Sequence, residues 1–330
     1  MYLLITGATG FLGGRLVREF ANYPQVKRIT ATGRTLRSNN RVHNSHITYI
    51  LGDLTNGLFV KSLFSDTVDI VINCASLSSP WGTYEDFYTA NCTTQKYLIA
   101  ESQKANVKRF IYISSPSIYF NFKDVFNLNE ESPLPKVLVN QYAVTKLEAE
   151  SFLKDSGLSY VTLRPRALIG EGDTVIMPRL IRSFKEGRLK IMGNGKNIVD
   201  LTSVRNMVQA VWLAINTTEE NCGEAYNITN SEPVNLWKSI NTVLTLTGYG
   251  KIEKKVPYAV LYIIATLMEW KSILLKTNEP ILTRYSVGIL SKSCTFDVQK
   301  AKSRLGYNPM QSTHEAIVEF AEWHNKNRND

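Results

Sequence analysis

The chain has 330 residues, of which 44% are hydrophobic, so it can bury a large core and is not a disordered chain. Its 38 lysines and arginines against 29 acidic residues give a net charge of +9, which suits an anionic cofactor, but no basic block is interleaved with aromatic residues, so no nucleic-acid partner is expected. The four cysteines lack Cys-x-x-Cys spacing and the first predicted strand begins at residue 2, so we expect free thiols, no metal site, no leader peptide and a cytoplasmic protein.

The chain begins with a glycine-rich turn between a strand and a helix. Residues 2–6 form a short apolar run, which predicts a buried strand, and residues 14–20 have helical periodicity. The glycines between them allow a tight turn that brings phosphates to the free N–H groups of the helix. We therefore predict a dinucleotide site that includes Gly7, Thr9, Gly10, Phe11, Leu12 and Gly13.

The second predicted strand, residues 28–33, is followed by an arginine where NAD-binding proteins place an acid. About 20 residues after the glycines, an Asp or Glu accepts a hydrogen bond from the NAD ribose, whereas an Arg accommodates the 2′-phosphate of NADP. This chain has Arg34 there, with Arg37 and Arg41 close behind. The sequence therefore predicts NADP as the cofactor in preference to NAD.

Strands and helices alternate up to residue 165. Further strands are predicted at residues 47–52, 68–75, 109–115 and 160–165, with a long helix at residues 84–106. The run at 68–75 is almost continuously apolar, as in a strand that is covered on both faces. We predict an α/β fold, a Rossmann-type doubly wound parallel sheet, with residues 1–165 as the NADP-binding domain.

The helix after Asn140 carries a tyrosine and a lysine one turn apart. Tyr142 and Lys146 share a helix face, so the phenol and the ammonium can act at one point. A nearby ammonium lowers the pKa of a phenol, and such a tyrosine can exchange a proton with a carbonyl oxygen. Two other copies of Tyr-x-x-x-Lys, at Tyr23 and Tyr119, do not open a convincing helix. The pattern therefore favours Tyr142 as an acid/base group.

Beyond residue 165 the alternation changes, which predicts a smaller C-terminal α/β domain. Residues 166–197 and 231–330 are assigned to this substrate-binding domain, and residues 198–230 are expected to return to the first domain. Residues 256–268 carry no charge but are fewer than the about 20 residues that span a membrane. We expect this run to cover the substrate entrance as a helix. The alternative is peripheral membrane contact through residues 256–275.

Taken in order, these motifs resemble those of the extended short-chain dehydrogenase/reductase family, in the NAD-dependent epimerase/dehydratase superfamily. The matching pieces are the glycine turn, Asp53-Leu54, Asn91, Tyr112-Ile-Ser-Ser115, Tyr142-x-x-x-Lys146 and Arg164-Pro165. The resemblance implies a catalytic set of Ser115, Tyr142 and Lys146, with Ser114 as the less favoured serine. The cofactor contacts that it implies beyond the glycine turn and Arg34 are Asp53, Leu54, Ala75, Pro165, Tyr142 and Lys146.

Segments 78–87, 199–204 and 278–285 resemble the 3β-hydroxysteroid dehydrogenase-like branch of that family. This implies an NADP-dependent oxidoreductase that interconverts a ketone and a secondary alcohol on an apolar, steroid-like or 2-alkyl-3-oxoacyl substrate. The candidate substrate contacts are Ser76, Trp81 and Pro116.

Two alternatives remain, a nucleotide-sugar epimerase or dehydratase and a non-catalytic NADP-sensing protein. Ala167 and Val199 stand where sugar-modifying relatives carry an Asn and an Arg, which disfavours the first. The intact Ser115, Tyr142 and Lys146 disfavour the second, because a protein that only binds the cofactor does not need all three. The sequence leaves a homodimer open.

Overall fold

The computed structural model describes residues 1–36, 41–275 and 279–328, so Arg37 and the first residue of segment 278–285 lie outside the described residues.

The strands in chain order are β1 (Tyr2–Thr6), β2 (Arg28–Gly33), β3 (Ile47–Leu51), β4 (Ile70–Asn73), β5 (Arg109–Ile113), β6 (Val125–Leu128), β7 (Tyr160–Pro165), β8 (Leu168–Ile169), β9 (Ile191–Met192), β10 (Ile198–Val199), β11 (Thr202–Ser203), β12 (Glu224–Ile228), β13 (Val234–Asn235), β14 (Lys255–Val256) and β15 (Cys294–Phe296). The α-helices are α1 (Phe11–Phe20), α2 (Gly57–Ser62), α3 (Tyr84–Phe87), α4 (Thr94–Lys104), α5 (Gln141–Lys154), α6 (Ile176–Lys185), α7 (Val204–Asn216), α8 (Leu236–Leu246), α9 (Tyr258–Leu274), α10 (Arg284–Ser291) and α11 (Thr313–Lys326).

A seven-stranded sheet in the order β12-β7-β5-β4-β1-β2-β3 forms the larger unit. All of its strand pairs are parallel. The chain adds β2 and β3 on one side of β1 and the later strands on the other, so the order reverses between β1 and β4. In such sheets ligands bind at the carboxyl ends of the strands, where the order reverses. The predicted Rossmann-type sheet is confirmed.

Helices cover both faces of this sheet, which makes it doubly wound as predicted. In β1, Leu3 and Ile5 face a core that they share with Leu16 of α1 and with α7. Leu4 points to the other face and belongs to a second core with Leu153 of α5. Successive side chains of a strand point to opposite faces of the sheet. Because helices cover both faces, apolar side chains are favoured at successive positions of the inner strands.

A four-stranded sheet, β13-β10-β15-β6, lies in the smaller unit. The core of this unit includes Met177 of α6, Trp237 of α8 and Phe320 of α11. Strand β10 pairs with β13 and β15 in the smaller unit, whereas Thr202 Oγ1 donates to Ile228 O of β12 and Val204 belongs to the core of the larger unit. Strand β12 pairs with β7, so residues 224–228 lie in the sheet of the larger unit.

Strand β6 is an element that no sequence pattern predicts. It pairs with β15 of the smaller unit, and the amide of Asn127 donates to Thr295 Oγ1 over 2.9 Å. The amide of Ser293 likewise donates to Asp124 Oδ1 over 2.6 Å. The segment between β5 and α5 therefore crosses from the larger unit to the smaller one, starting at the carboxyl end of β5.

Candidate active site

The glycine turn after β1 leaves room only for backbone. Gly7 has a φ of +63°, in the left-handed region, and a Cβ there would lie 2.8 Å from the backbone of Cys74 and Ala75. A Cβ on Gly13 would overlap the carbonyl group of Gly7. The end of β4, the turn and the start of α1 are therefore packed against one another without side chains between them.

The N-terminus of α1 is open to a ligand. No side chain caps it at Gly10, so its first N–H groups and its positive dipole remain available. Bare backbone packed around an uncapped helix start fits the pyrophosphate of a dinucleotide, which binds at such termini. The predicted residues Gly7, Thr9, Gly10, Phe11, Leu12 and Gly13 all lie in this turn and the first helical residues.

Arg34 and Asp53 stand at the carboxyl ends of the neighbouring strands β2 and β3. Arg34 is exposed directly after β2, and the amide of Ala8 in the glycine turn donates to Thr32 O over 2.9 Å. The backbone amide of Thr55, at 2.9 Å, holds the pKa of Asp53 below its usual range, and the positive charge of Arg34 adds to this effect. An exposed cation and an ionised carboxylate therefore lie beside the turn that would hold the phosphates.

Tyr142 lies in the first turn of α5 and points into a group of serine hydroxyls. It is half-buried. Burial raises the pKa of Tyr142, and the nearby hydroxyls of Ser115, Ser78 and Ser76 oppose this rise. The predicted catalytic serine and one predicted substrate residue are thus both close to the phenol oxygen. Ser78 also lies close to the phenol, although the sequence predicts it only as part of segment 78–87 and not as a site residue.

Lys146 is buried, and its ammonium turns towards the sheet. Its Nζ donates a 2.6 Å hydrogen bond to Ile113 O at the end of β5 and lies 4.3 Å from the centre of the Tyr112 ring. Burial lowers the pKa of Lys146 to about 7, although the charge of Glu150 opposes this shift. In this structure the ammonium is bound to the backbone, and burial and the serine hydroxyls are the causes that set the pKa of Tyr142, so the expectation that Lys146 lowers this pKa stays a prediction.

Ser115 lies near enough to Tyr142 to act on its pKa, and Ser114 is not among the groups that do so. Ser115 Oγ donates to Ser117 Oγ over 3.0 Å and accepts from the Ser117 amide at 3.3 Å, at the start of a short helical turn. Ser114 is buried, and its Oγ makes no hydrogen bond to any described residue. Pro116 is buried at the first position of that turn. The geometry favours Ser115 as the serine that contacts a reacting oxygen.

Asn91 ties the loop after β4 to the helix that carries Tyr142. It is buried within a π-helical segment, Tyr88–Thr93, that joins α3 to α4. Its Oδ1 accepts from the amide of Leu77 at 2.8 Å and from Ser76 Oγ at 3.1 Å, and its Nδ2 donates to Thr145 Oγ1 at 3.1 Å. Single π-helical turns inside α-helices are frequent at functional sites. Asn91 therefore holds Ser76 and the residue before Lys146 in a fixed relation.

The remaining predicted residues make fewer contacts. Ala75 lies next to the glycine turn, Leu54 is buried after β3, and Pro165 ends β7. Trp81 is half-buried, and within the described parts of the chain no hydrogen bond or ring contact joins it to Tyr142. Trp81 as a substrate contact stays a prediction.

Arg166 and Tyr285 lie close to the predicted catalytic residues, although no pattern singled them out as site residues. Ile113 of β5 pairs with Leu163 of β7, so Arg166, just past the end of β7, is level with the segment after Ser115. Burial raises the pKa of Tyr285 to about 12, the positive charge of Arg166 opposes this rise, and the Tyr142 phenol adds to it. Arg166 directly follows the inner strand β7, and ligands of parallel sheets bind at the carboxyl ends of the strands, so this position is the sequence signal that could have identified Arg166 as a site residue.

Among the residues that the structure describes, no carboxylate pairs with the Arg166 guanidinium. Its Nε is buried without a hydrogen bond, and in the described ranges it takes part in no ion pair, whereas Arg164 is paired with Glu150. Asp200 is close enough for Arg166 to act on its pKa, but burial dominates and raises that pKa to about 6. A buried hydrogen-bond donor without a partner lowers the stability of the folded state by about 1–3 kcal/mol. A ligand that accepts a hydrogen bond from this donor would remove that cost.

A cavity of about 810 Å³ lies between α5 and the β12 edge of the sheet. Its lining includes Glu130, Glu150, Arg164 and Lys300, and it includes none of Ser115, Tyr142 and Lys146. The cavity therefore does not include the three predicted catalytic residues.

Comparison with known proteins adds three findings. The sequence model of the NAD dependent epimerase/dehydratase family matches residues 3–229. The 2-alkyl-3-oxoalkanoate reductase of Shewanella oneidensis is 30% identical over 96% of this chain and 84% of its own length. The decarboxylating sterol-4-alpha-carboxylate 3-dehydrogenase of Candida albicans is 30% identical over 98% of this chain and 97% of its own length.

A solved structure has the same fold. The UDP-glucuronic acid 4-epimerase of Bacillus cereus in complex with NAD matches with a TM-score of 0.77, over 99% of each chain, at 21% identity. At that identity the likeness is one of fold.

Proposed function

Because the chain belongs to the NAD dependent epimerase/dehydratase family, we propose that its cleft moves a hydride between a nicotinamide cofactor and a ketone or secondary alcohol. It is an NAD(P)-dependent oxidoreductase of the 3β-hydroxysteroid dehydrogenase-like branch, since its named relatives are dehydrogenases and reductases. The observation that carries the proposal is the meeting of Ser115 and Tyr142 at the carboxyl end of β5, on the sheet that carries the uncapped glycine turn. When bound, the nicotinamide supplies or accepts the hydride.

The side chains of this protein supply the proton and the polar contacts. In the reducing direction Tyr142 donates its phenolic proton to the substrate oxygen, and in the oxidising direction it takes the proton back. The raised pKa of Tyr142 keeps the phenol protonated and ready to donate. Ser115 Oγ hydrogen-bonds the same oxygen and stabilises the charge that develops there. Lys146 stands one helical turn away, and burial lowers its pKa to about 7, which suits it to exchange a proton near neutral pH.

We propose NADP as the preferred cofactor. Arg34 is exposed at the end of β2, where an NAD-specific site would place an acid. A guanidinium there suits a 2′-phosphate because a charge-assisted hydrogen bond is about twice as strong as a neutral one. Asp53 lies at the neighbouring strand end, where its carboxylate can accept from the adenine amino group.

We propose a lipophilic β-oxo or β-hydroxy acid as the substrate. The names of the two relatives describe substrates in which a carboxylate is attached to the carbon next to the one that bears the oxygen. In this chain the guanidinium of Arg166, which takes part in no ion pair with the described residues, lies beside the segment after Ser115. An arginine suits a carboxylate because its planar fork of donors can bind both oxygens. The aromatic side chains of Tyr285 and Phe120, whose ring centres are 6.2 Å apart, supply apolar surface nearby.

The test is a substrate panel followed by the absorbance of NADPH. A 2-alkyl-3-hydroxy acid with a long chain is supplied with NADP⁺, because the corresponding oxo acids lose carbon dioxide. We expect NADPH to form with this substrate and UDP-linked sugars to be left unchanged. Epimerisation of a UDP-linked sugar at an ordinary enzymatic rate would overturn the proposal, and so would tight NADPH binding without turnover of any panel member.

A further inference from the structure

Helix α9 presents an apolar face to solvent. Six of its large apolar side chains are between 42% and 81% exposed and lie on one side of the helix, and they are Val260, Ile263, Ile264, Leu267, Trp270 and Leu274. Their spacing of three and four residues places them in one stripe along the helix. Soluble monomers rarely expose a contiguous apolar patch of this kind.

The opposite face of α9 fixes the helix to the protein. Glu269 is buried there, its Oε2 accepts from Arg284 Nε at 2.5 Å, and its Oε1 accepts from the Arg284 amide at 2.7 Å. The Tyr262 ring meets the Phe122 ring edge-on, with centres 5.8 Å apart. The usual arrangement of an amphipathic helix is therefore reversed, since an ion pair faces the protein and the apolar stripe faces outward.

The charges around the stripe are mostly basic. Lys271 follows Leu267 by one turn and lies on the stripe itself, and it is exposed. Lys251, Lys254 and Lys255 are exposed just before the helix, against one exposed acid in that segment, Glu253. Lysines at the border of an apolar face keep their charge in the headgroup region while their methylene stems lie on apolar surface.

The structure assigns one partner to this stripe, which is the surface of an anionic lipid bilayer, with α9 lying in the plane of the interface. The whole chain carries a net charge of +9, which adds long-range attraction. No helix in residues 1–36, 41–275 or 279–328 has the length and apolar character to cross a bilayer, so α9 would lie on the membrane. A second copy of this chain fits less well, because a two-fold contact through the stripe would bring the same lysines together.

The membrane contact would place the cleft near a lipid source, a consequence that rests on the proposed function. Tyr262 of α9 contacts Phe122, Phe122 contacts Phe120 at 5.4 Å, and Phe120 contacts Tyr285 at 6.2 Å between ring centres. A line of aromatic rings thus runs from the inner face of α9 to the tyrosine beside Tyr142. A lipophilic acid could follow this line from the bilayer to the site.

The experiment is co-sedimentation of the full chain with vesicles. One set contains phosphatidylcholine alone, and the other contains phosphatidylcholine mixed with phosphatidylglycerol. We expect binding to the mixed vesicles that weakens as salt is raised. The double variant Ile263→Ser with Leu267→Ser should partition about tenfold less or weaker still, because it removes apolar surface from the centre of the stripe. Lys271→Glu should weaken binding to the anionic vesicles alone.

The matched control is the double variant Leu58→Ser with Val137→Ser, which removes two apolar side chains, 80% and 83% exposed, outside α9. It should bind as the unchanged protein does. Circular dichroism and unchanged NADPH affinity verify that each variant is folded. Failure of the unchanged protein to bind, or equal binding by the α9 variant, would overturn the inference. The inference would also be overturned if sedimentation velocity showed a dimer of the unchanged protein that became a monomer in the α9 variant, while vesicle binding stayed the same. None of these readouts depends on the substrate, so the proposed reaction can fail or succeed separately.

Discussion

The Lys146 ammonium donates a 2.6 Å hydrogen bond to the carbonyl oxygen of Ile113, the last residue of the strand that precedes Ser115. A cation is thus tied to the backbone end of a central strand, in a place where burial lowers its pKa to about 7. The lysine can therefore gain or lose its charge within the physiological pH range, which makes both stability and activity depend on pH.

The first prediction concerns the stability of the protein without cofactor. The folded pKa of Lys146 is depressed from 10.5 to about 7, so the unfolded chain binds more protons between these values and stability should rise with pH across that window. Lys146→Met should remove this rise. The control is Lys154→Met, which changes an exposed lysine of the same helix. Urea unfolding at several pH values measures the slope, and an equal slope in all three proteins would contradict the assignment.

The second prediction concerns the proton donor. Tyr142→Phe removes only the hydroxyl and should lower kcat by about 10²–10⁴-fold, as for other general acids. NADPH binding should persist, since the glycine turn is untouched. Stopped-flow turnover and fluorescence titration measure the two effects. Normal turnover by this variant would mean that Tyr142 has a packing role.

The third prediction separates the two adjacent serines. Ser115→Ala should lower kcat by about 10²-fold, because Ser115 Oγ is near the phenol and would stabilise charge on the substrate oxygen. Ser114→Ala should leave kcat unchanged and should not reduce stability, because it removes a buried hydroxyl without a partner. Steady-state kinetics and thermal unfolding of the pair provide the comparison. The opposite pattern would assign the catalytic role to Ser114.

The fourth prediction concerns cofactor choice. NADPH should bind about ten- to a hundredfold more tightly than NADH, the value of one charge-assisted contact. Arg34→Ala should erase most of this ratio. Arg28→Ala is the matched control, since it changes an arginine at the opposite end of the same strand, where it pairs with Asp66. Calorimetric titration with both cofactors measures the ratio, and equal affinities in the unchanged protein would refute the role of Arg34.

The fifth prediction concerns Arg166. Arg166→Ala should raise KM for a 2-alkyl-3-hydroxy acid by about ten- to a hundredfold and leave KM for its methyl ester unchanged. Arg166→Lys should recover part of the loss for the acid, because it keeps the charge but not the fork of donors. The acid and its ester are a matched pair that differ only in the group that Arg166 would bind. Equal losses on both would show that Arg166 only supports the packing of the cleft.

The sequence predicts local features of the site well. Asn140 is of a residue type that favours the helix N-cap, and its Oδ1 accepts from the amide of Ala143 at 2.9 Å at the start of the helix of Tyr142. The glycine turn and the strands around it follow from spacing and apolar runs, which are local properties. The strands predicted at 28–33 and 160–165 have those bounds in the structure.

Features that depend on distant residues could not be predicted. Strand β6 is four residues long and gains its register from β15, about 170 residues later in the chain. The pattern of Tyr142 and Lys146 places them on one helix face but cannot show that the ammonium turns to Ile113 O. The missing partner of Arg166 is likewise a property of the assembled cleft, because it depends on which carboxylates the fold brings near. Tertiary packing decides each of these outcomes.

The crossing of β6 into the smaller sheet means that the protein cannot be divided by cutting its chain once. A fragment that ended at residue 165 would carry β6 without β15 and would lack β12, the outer strand next to β7. Each half would then expose an unpaired strand edge, which favours aggregation. A chimera that takes its substrate-binding unit from a relative would therefore need at least three separate stretches of sequence from that relative. Strands β6 and β15 would both have to come from the same parent protein.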